Sequence, residues 1–295
     1  MSSLAIAIAA CRFLIDGSAV LLWGSSIYIA TLVPRPLASI LAKRLRRFDV
    51  VLIVIAAAAT AAVLPLQAGE IGAEWGDVLN GTMMHDVLLD TSIGQAWQAQ
   101  AVAALLLVVA LAAPLSFFPR ATALASGLLL ASLALTGHAA MQEDWLGVIH
   151  SINDVMHVLS AGAWVGALVP LLTVLLLLGQ PDHGAAADIA LRRFSTAGHV
   201  LVALVLASGI ANTLLVLGHL PLDWSSPYQA MLALKIALVV CMICLAAINR
   251  YAFVPRLAHN QPEAIRAIRR ATIAEVGLGL AVIGLVAVFG MLEPF

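Results

Sequence analysis

The stretch that decides the fold runs from His150 to Leu178, HSINDVMHVLSAGAWVGALVPLLTVLLLL. From Val158 to its end it carries no charged residue, and about 20 apolar residues suffice for a helix to cross the hydrocarbon core of a bilayer. Its first third is different. His150, Asn153, Asp154 and His157 recur at spacings of three, four and seven, so a helix places all four on one face. Trp164, seven residues further on, extends that face inward. One segment therefore announces a spanning helix and a polar stripe at its mouth.

Composition generalises the first half of that reading. Of the 295 residues, 62% are hydrophobic and 11% charged, with a mean hydropathy of +1.03. Soluble domains run nearer half apolar and one quarter charged. Disorder, a collagen-like fibre and a disulfide-stapled mini-protein are excluded, and a soluble enzyme has too little polar surface to coat it. A net charge of −1 with no basic run interleaved with aromatics gives no nucleic-acid surface. Three cysteines allow at most one disulfide. Ile8-Ala9-Ala10-Cys11 has the small residues of a lipoprotein cleavage site, but no base precedes it. The expected reading is the start of the first span.

Scanning for apolar runs gives eight spans: Leu4–Leu32, Phe48–Gln67, Thr91–Ala113, Ala121–Met141, His150–Leu178, Phe194–Gly218, Tyr228–Arg250 and Ala267–Met291. Proline, glycine and charge punctuate the gaps. The expected fold is all-α, a polytopic membrane bundle of eight transmembrane helices forming one membrane domain over 1–295.

Lysine and arginine set an orientation. Of the 15, 13 fall after spans 1, 3, 5 and 7: Arg35 and Lys43 to Arg47, Arg120, Arg192 and Arg193, and Arg250 to Arg270. Arg12 and Lys235 lie within spans, and the loops after spans 2, 4 and 6 have none. The positive-inside rule then puts both termini outside the cytoplasm. The outer face carries acids, among them Glu70, Glu74, Asp77, Asp86, Asp90 and Asp223. They either concentrate cations or merely fill loops that positive charge avoids.

Five of eight histidines, His85, His138, His150, His157 and His219, fall at or near that outer face. Methionine joins them at Met83, Met84, Met141 and Met156. Span 4 ends close to span 5, which should bring His138 and Met141 near His150. Polar groups at membrane depth are costly and default to function. Imidazole suits several transition metals, and thioether narrows the choice towards copper(I). The expected outer metal site is His85, His138, His150 and His157, with Met83, Met84 and Met141 collecting the ion. The alternative is that these histidines only hydrogen-bond between helices.

Other intramembrane groups read as structural or functional alike. Arg12 and Asp16, four apart, can pair. Lys235 needs a partner, with Asp16 and Asp154 as candidates. Glu275 is either a proton-relay group or a snorkelling acid. Cys241 and Cys244 could hand on a soft ion or act as small apolar residues.

Several runs resemble the CopD/PcoD copper-resistance family. They are Arg193-Phe-Ser-Thr-Ala-Gly198, Ser208-Gly-Ile-Ala-Asn212, Tyr228, Leu232-Ala-Leu-Lys235 and Ala246-Ala-Ile-Asn-Arg250. His157 to Gly166 and Thr91-Ser-Ile-Gly-Gln-Ala-Trp97 are similar to it too. The likeness covers about residue 85 to the end, and 190–291 resembles the family's conserved membrane domain. It implies a bacterial inner-membrane protein of copper homeostasis, with copper as its ion and a periplasmic CopC-type copper-binding partner. This chain has no soluble domain, so that partner is expected as a separate protein.

Three functions compete. The first is copper binding at the periplasmic face and movement across the membrane; no phosphate-binding loop is present, so no ATPase of its own drives it. The second is a haem b electron-transfer subunit, with His138 facing His157 or His219. The third is a copper sensor or assembly factor without transport. No hydrolase motif is present, and a non-enzyme is expected.

Overall fold

A computed structural model describes residues 1–136 and 144–292. Nine α-helices and short 3-10 or π turns make up its regular structure, and eight of the helical segments are long and apolar enough to cross a membrane. In chain order the helices are α1 (Ser3–Thr31), α2 (Arg35–Gly72), α3 (Gly81–Asp90), α4 (Ser92–Ala110), α5 (Phe118–Ala131), α6 (Asp144–Leu177), α7 (Gly184–Leu217), α8 (Pro227–Ile248) and α9 (Gln261–Phe289). The eight-span all-helical expectation holds.

The ends differ from hydropathy in an instructive way. α2 starts 13 residues before the expected Phe48 and takes Lys43, Arg44, Arg46 and Arg47 into its first turns. α7 likewise starts at Gly184 rather than Phe194 and absorbs Arg192 and Arg193. Hydropathy detects bilayer depth, whereas the helix continues wherever its backbone bonds can. α3 was not expected at all. It is a ten-residue helix capped by Asn80, whose side chain accepts from the Met83 amide at 3.2 Å. Fourteen helical residues of α5 are prolonged by a 3-10 turn, Ser132–Leu135.

α1 and α6 form the centre. α1 packs on α2, α5, α6 and α9, while α6 packs on α1, α5, α7 and α9. Their crossing is built from glycine. A Cβ on Gly24 would strike the Gly162 carbonyl and stand 2.7 Å from the Ala167 nitrogen, and one on Gly166 would strike the Val20 carbonyl and stand 2.8 Å from Gly24 Cα. Small residues spaced by four let two backbones approach this closely. Pro170 removes the amide that would bond the Gly166 carbonyl, and Ser25 Oγ on α1 donates to that carbonyl instead, at 3.3 Å. Trp23 Nε1 adds a 2.8 Å bond to the Leu159 carbonyl.

Around this centre burial is uneven. Half or more of the apolar window is buried in α1 (50%), α5 (56%) and α6 (61%), but only 17% in α7 and 11% in α8. α7 packs on α6, and α8 packs on α9. The two outer helices leave a cleft between them, and it is here that the polar groups gather.

At the basic end, Arg46 Nη2 donates to the Leu111 carbonyl that closes α4, at 2.6 Å, with its guanidinium 3.7 Å from the Phe118 ring centroid. Cations near a helix C-terminus offset its dipole.

Candidate metal centre

The polar stripe of α6 faces α7. Asn153 Nδ2 donates to the Ser208 carbonyl at 3.0 Å and to Asn212 Oδ1 at 2.6 Å. Asn212 Nδ2 donates in turn to Asp154 Oδ1 at 3.0 Å. From α8, Tyr228 and Lys235 lie within electrostatic reach of Asp154, and Lys235 also acts on His157. Of the two partners considered for Lys235, the structure brings Asp154. Arg12 is the charge acting on Asp16, as their spacing suggests.

His157 is the group best prepared for a metal. Its Nδ1 lies 2.9 Å from Ser208 Oγ. That hydroxyl has one proton and already donates to the Leu204 carbonyl at 2.6 Å. Oγ must therefore accept from His157, which puts the proton on Nδ1 and, in the neutral ring, leaves the Nε2 lone pair unprotonated. Metal-binding histidines are oriented in this manner by a second partner on the non-ligating nitrogen. Gly209 makes room for the ring: a Cβ there would stand 3.3 Å from His157 Cε1.

The other expected ligands are dispersed. His150 is 3% exposed. It stands two turns from His157, about 10.5 Å along the axis. His85 is exposed on α3, its Nδ1 3.4 Å from Asp86 Oδ1. Met83 and Met84 turn the other way and pack against Leu64, Ala68 and Val87. α3 packs on α2 and α4 rather than beside α6. His138 and Met141 lie outside the described residues. Among the described residues, no three His, Cys, Asp or Glu side chains converge to hold a metal ion. His219 is exposed and bonds the Leu220 carbonyl at 2.8 Å. Cys241 and Cys244 are exposed on α8, which places both thiols on its outward side.

The acids expected at the outer face also resolve in part. Glu70 accepts from Ser2 Oγ at 2.8 Å, and Asp77 accepts from Asn80 Nδ2 at 3.2 Å. Asp223 accepts from the Ser225 hydroxyl and amide, which hold its carboxyl below the usual carboxylate range. These three shape the loops.

Sequence reasoning missed Ser208 and Asn212 as parts of this site. The signal was present: two polar side chains four apart in an otherwise apolar span share one face, and groups at that depth need partners.

Two family models match the chain, one described as Copper resistance protein D-like, N-terminal domain, over residues 1–148, the other as Copper resistance protein D, over 188–289. The chain belongs to the copper resistance protein D family. Similar relatives include the inner membrane protein YebZ of Escherichia coli K12, 35% identical over 97% of this chain and 98% of that one. Copper resistance protein D of Pseudomonas syringae pv. tomato is 32% identical, over 79% of this chain and 78% of its own. The copper transport protein CutJ of Bacillus subtilis is 30% identical over 86% of this chain, which spans 48% of CutJ. No solved structure matches. This copper resistance protein D family member is thus a copper-related, multi-pass membrane protein, and the His157-to-Gly166 run seen in its sequence lines the α1–α6–α7 junction. The Thr91-to-Trp97 run has a structural part: Thr91 Oγ1 caps α4 at the Gly94 amide (3.0 Å), and Trp97 Nε1 bonds the Thr60 carbonyl (2.7 Å).

Proposed function

We propose that the protein takes up copper at the periplasmic face of a bacterial inner membrane and moves it across, as a carrier rather than an enzyme. The observation that carries this is the hydrogen-bond accounting at His157, which leaves a ring nitrogen available for a soft or borderline cation at membrane depth. The family it belongs to and the names of two relatives supply the metal. The asymmetry of Lys and Arg supports periplasmic termini, and the inner-membrane name of the YebZ relative supports that membrane. His150 and His157, two turns apart, act as successive stations rather than as one chelate. His85, exposed on α3, meets the ion or a separate CopC-type donor protein first, and Met83 and Met84, the two residues before it, stand behind that contact against Leu64, Ala68 and Val87. His138 and Met141 complete the outer station. With no nucleotide-binding motif, movement runs on a gradient or on delivery by the partner.

The test is metal content and visible spectrum of the purified protein, beside a His150→Ala/His157→Ala variant, followed by copper flux in sealed vesicles. Stoichiometric copper lost in the variant, with flux in the native protein, is expected. A haem Soret band without copper would overturn the reading, and copper binding without flux would leave a sensor or assembly factor.

A further inference from the structure

The cleft between α7 and α8 continues below the His157 cluster as a cavity of about 380 Å³. Its wall includes Trp164, His199, Asn249, Tyr251, Thr272 and Glu275. It shares Leu191, Ser195, Arg250, Tyr251 and Val254 with a second cavity of about 660 Å³, whose rim includes the exposed Arg192, Pro255 and Gln261 at the basic-loop face. Trp164 on its wall lies two turns along α6 from His157.

Glu275 is the acid on that inner wall. It is 2% exposed, and its Oε1 accepts from Asn249 Nδ2 at 2.8 Å. It makes no ion pair among the described residues. Asn249 opens a π-helical turn, Asn249–Phe253, that interrupts the end of α8, a distortion frequent at functional sites. The amide oxygen of Asn249 is buried without a hydrogen-bond partner. That orphan acceptor sits on the same amide that donates to Glu275. A proton on the second carboxyl oxygen supplies the missing donor: acid and amide then face each other with one hydrogen bond in each direction. An ionised carboxylate has no donor to offer, and a lone buried charge is costly.

The titratable and charged groups facing this acid are few. On the cavity wall α7 presents His199, and the π turn presents Arg250 and Tyr251. Both ring nitrogens of His199 are engaged, Nδ1 with the Ser195 carbonyl at 2.7 Å and Nε2 with Tyr251 Oη at 3.1 Å. α6 contributes Trp164, Leu168 and Leu171 to the cavity, and α1 contributes Tyr28 to the neighbouring apolar cluster.

We propose that Glu275 is a proton-binding site inside the membrane, loaded from the basic-loop face through the cleft between α7 and α8, and that copper movement is coupled to this proton. The second half rests on the transport reading above. In the step itself one proton passes from the aqueous face to a Glu275 oxygen, and the new O–H donates to Asn249 Oδ1. Release reverses it. No electron moves.

Infrared difference spectroscopy of the full chain in nanodiscs tests the first half without copper. At neutral pH a protonated-carboxyl C=O band is expected in the native protein, absent in Glu275→Gln and shifted in Asn249→Ala. An identical band in native and Glu275→Gln protein overturns the proton site. Glutamine keeps the acceptor for Asn249 and the volume, so matching thermal transitions show that both proteins are folded. Copper flux in sealed vesicles tests the second half. A pH gradient imposed on native protein is expected to change flux at least tenfold, and Glu275→Gln to remove that dependence. Gradient dependence that survives in Glu275→Gln overturns the coupling. Absence of native flux under every gradient overturns both the transport reading and the coupling, with the carboxyl band then deciding the proton site alone.

Discussion

His157 and Ser208 meet across α6 and α7 as donor and acceptor, Nδ1 to Oγ at 2.9 Å, because the serine proton is already spent on Leu204. The serine therefore fixes the tautomer of the ring. Ser208→Ala frees the imidazole to flip or to change tautomer, and partners of this kind are worth roughly 10–100-fold in metal affinity. Competition with a copper(I) chelator should show that loss for Ser208→Ala and a larger one for His157→Ala. Equal affinity in native and Ser208→Ala protein would show that the contact holds helices only.

Gly209 tests the same ring from the side. An added methyl stands 3.3 Å from Cε1, so Gly209→Ala shifts the imidazole by a few tenths of an ångström and Gly209→Val by more. Copper affinity should fall in that order while the thermal transition moves little. A reversed order would mean that the ring does not carry the metal.

Lys235 lies within electrostatic reach of Asp154. Removing one member of such a pair leaves the other uncompensated, at about 3 kcal/mol for a well-buried case and less where the side chain is partly exposed, as Lys235 is. Lys235→Met and Asp154→Asn should each lower the melting temperature in detergent, and the double variant should recover part of the sum. Strict additivity would separate the two residues.

The glycine crossing predicts stability alone. Gly166→Ala drives a methyl into the Val20 carbonyl, and overpacking of this kind costs about 3 kcal/mol. Gly17, on the same helix as Gly24, has nothing within 4 Å of an added Cβ. Gly17→Ala should stabilise by about 0.5–1 kcal/mol through helix propensity. Thermal unfolding of the two variants should move in opposite directions, and a loss in both would remove the special role of the crossing.

The eight spans were legible because the threshold for a spanning helix is a property of the bilayer, which apolar runs meet or miss. The stripe of Asn153, Asp154 and His157 was legible for the same reason that any helix face is, through its spacing. What faces the stripe was not. Hydropathy orders helices along the chain but says nothing of which ones touch, so Ser208 and Asn212 stood out only as part of a family-like run. The dispersal of His85 from His157 follows likewise from α3, a helix too short and too polar to register as a span. Glu275 was read as a relay group, a snorkelling acid or a structural partner; its burial argues against the second, and its bond to Asn249 is the pairing that the third expects.

The central position of α1 has a consequence for biosynthesis. Among the described helices, α1 has partners far along the chain: it packs against α9 as well as α2, α5 and α6. Its glycine-lined flank has to wait in the lipid beside the insertion machinery until α6 is translated, more than a hundred residues later. Assembly of this bundle therefore closes around α1 once α6 is made rather than growing outward from it, and a chain arrested before α6 presents an unfilled seam to the quality-control proteases of the membrane.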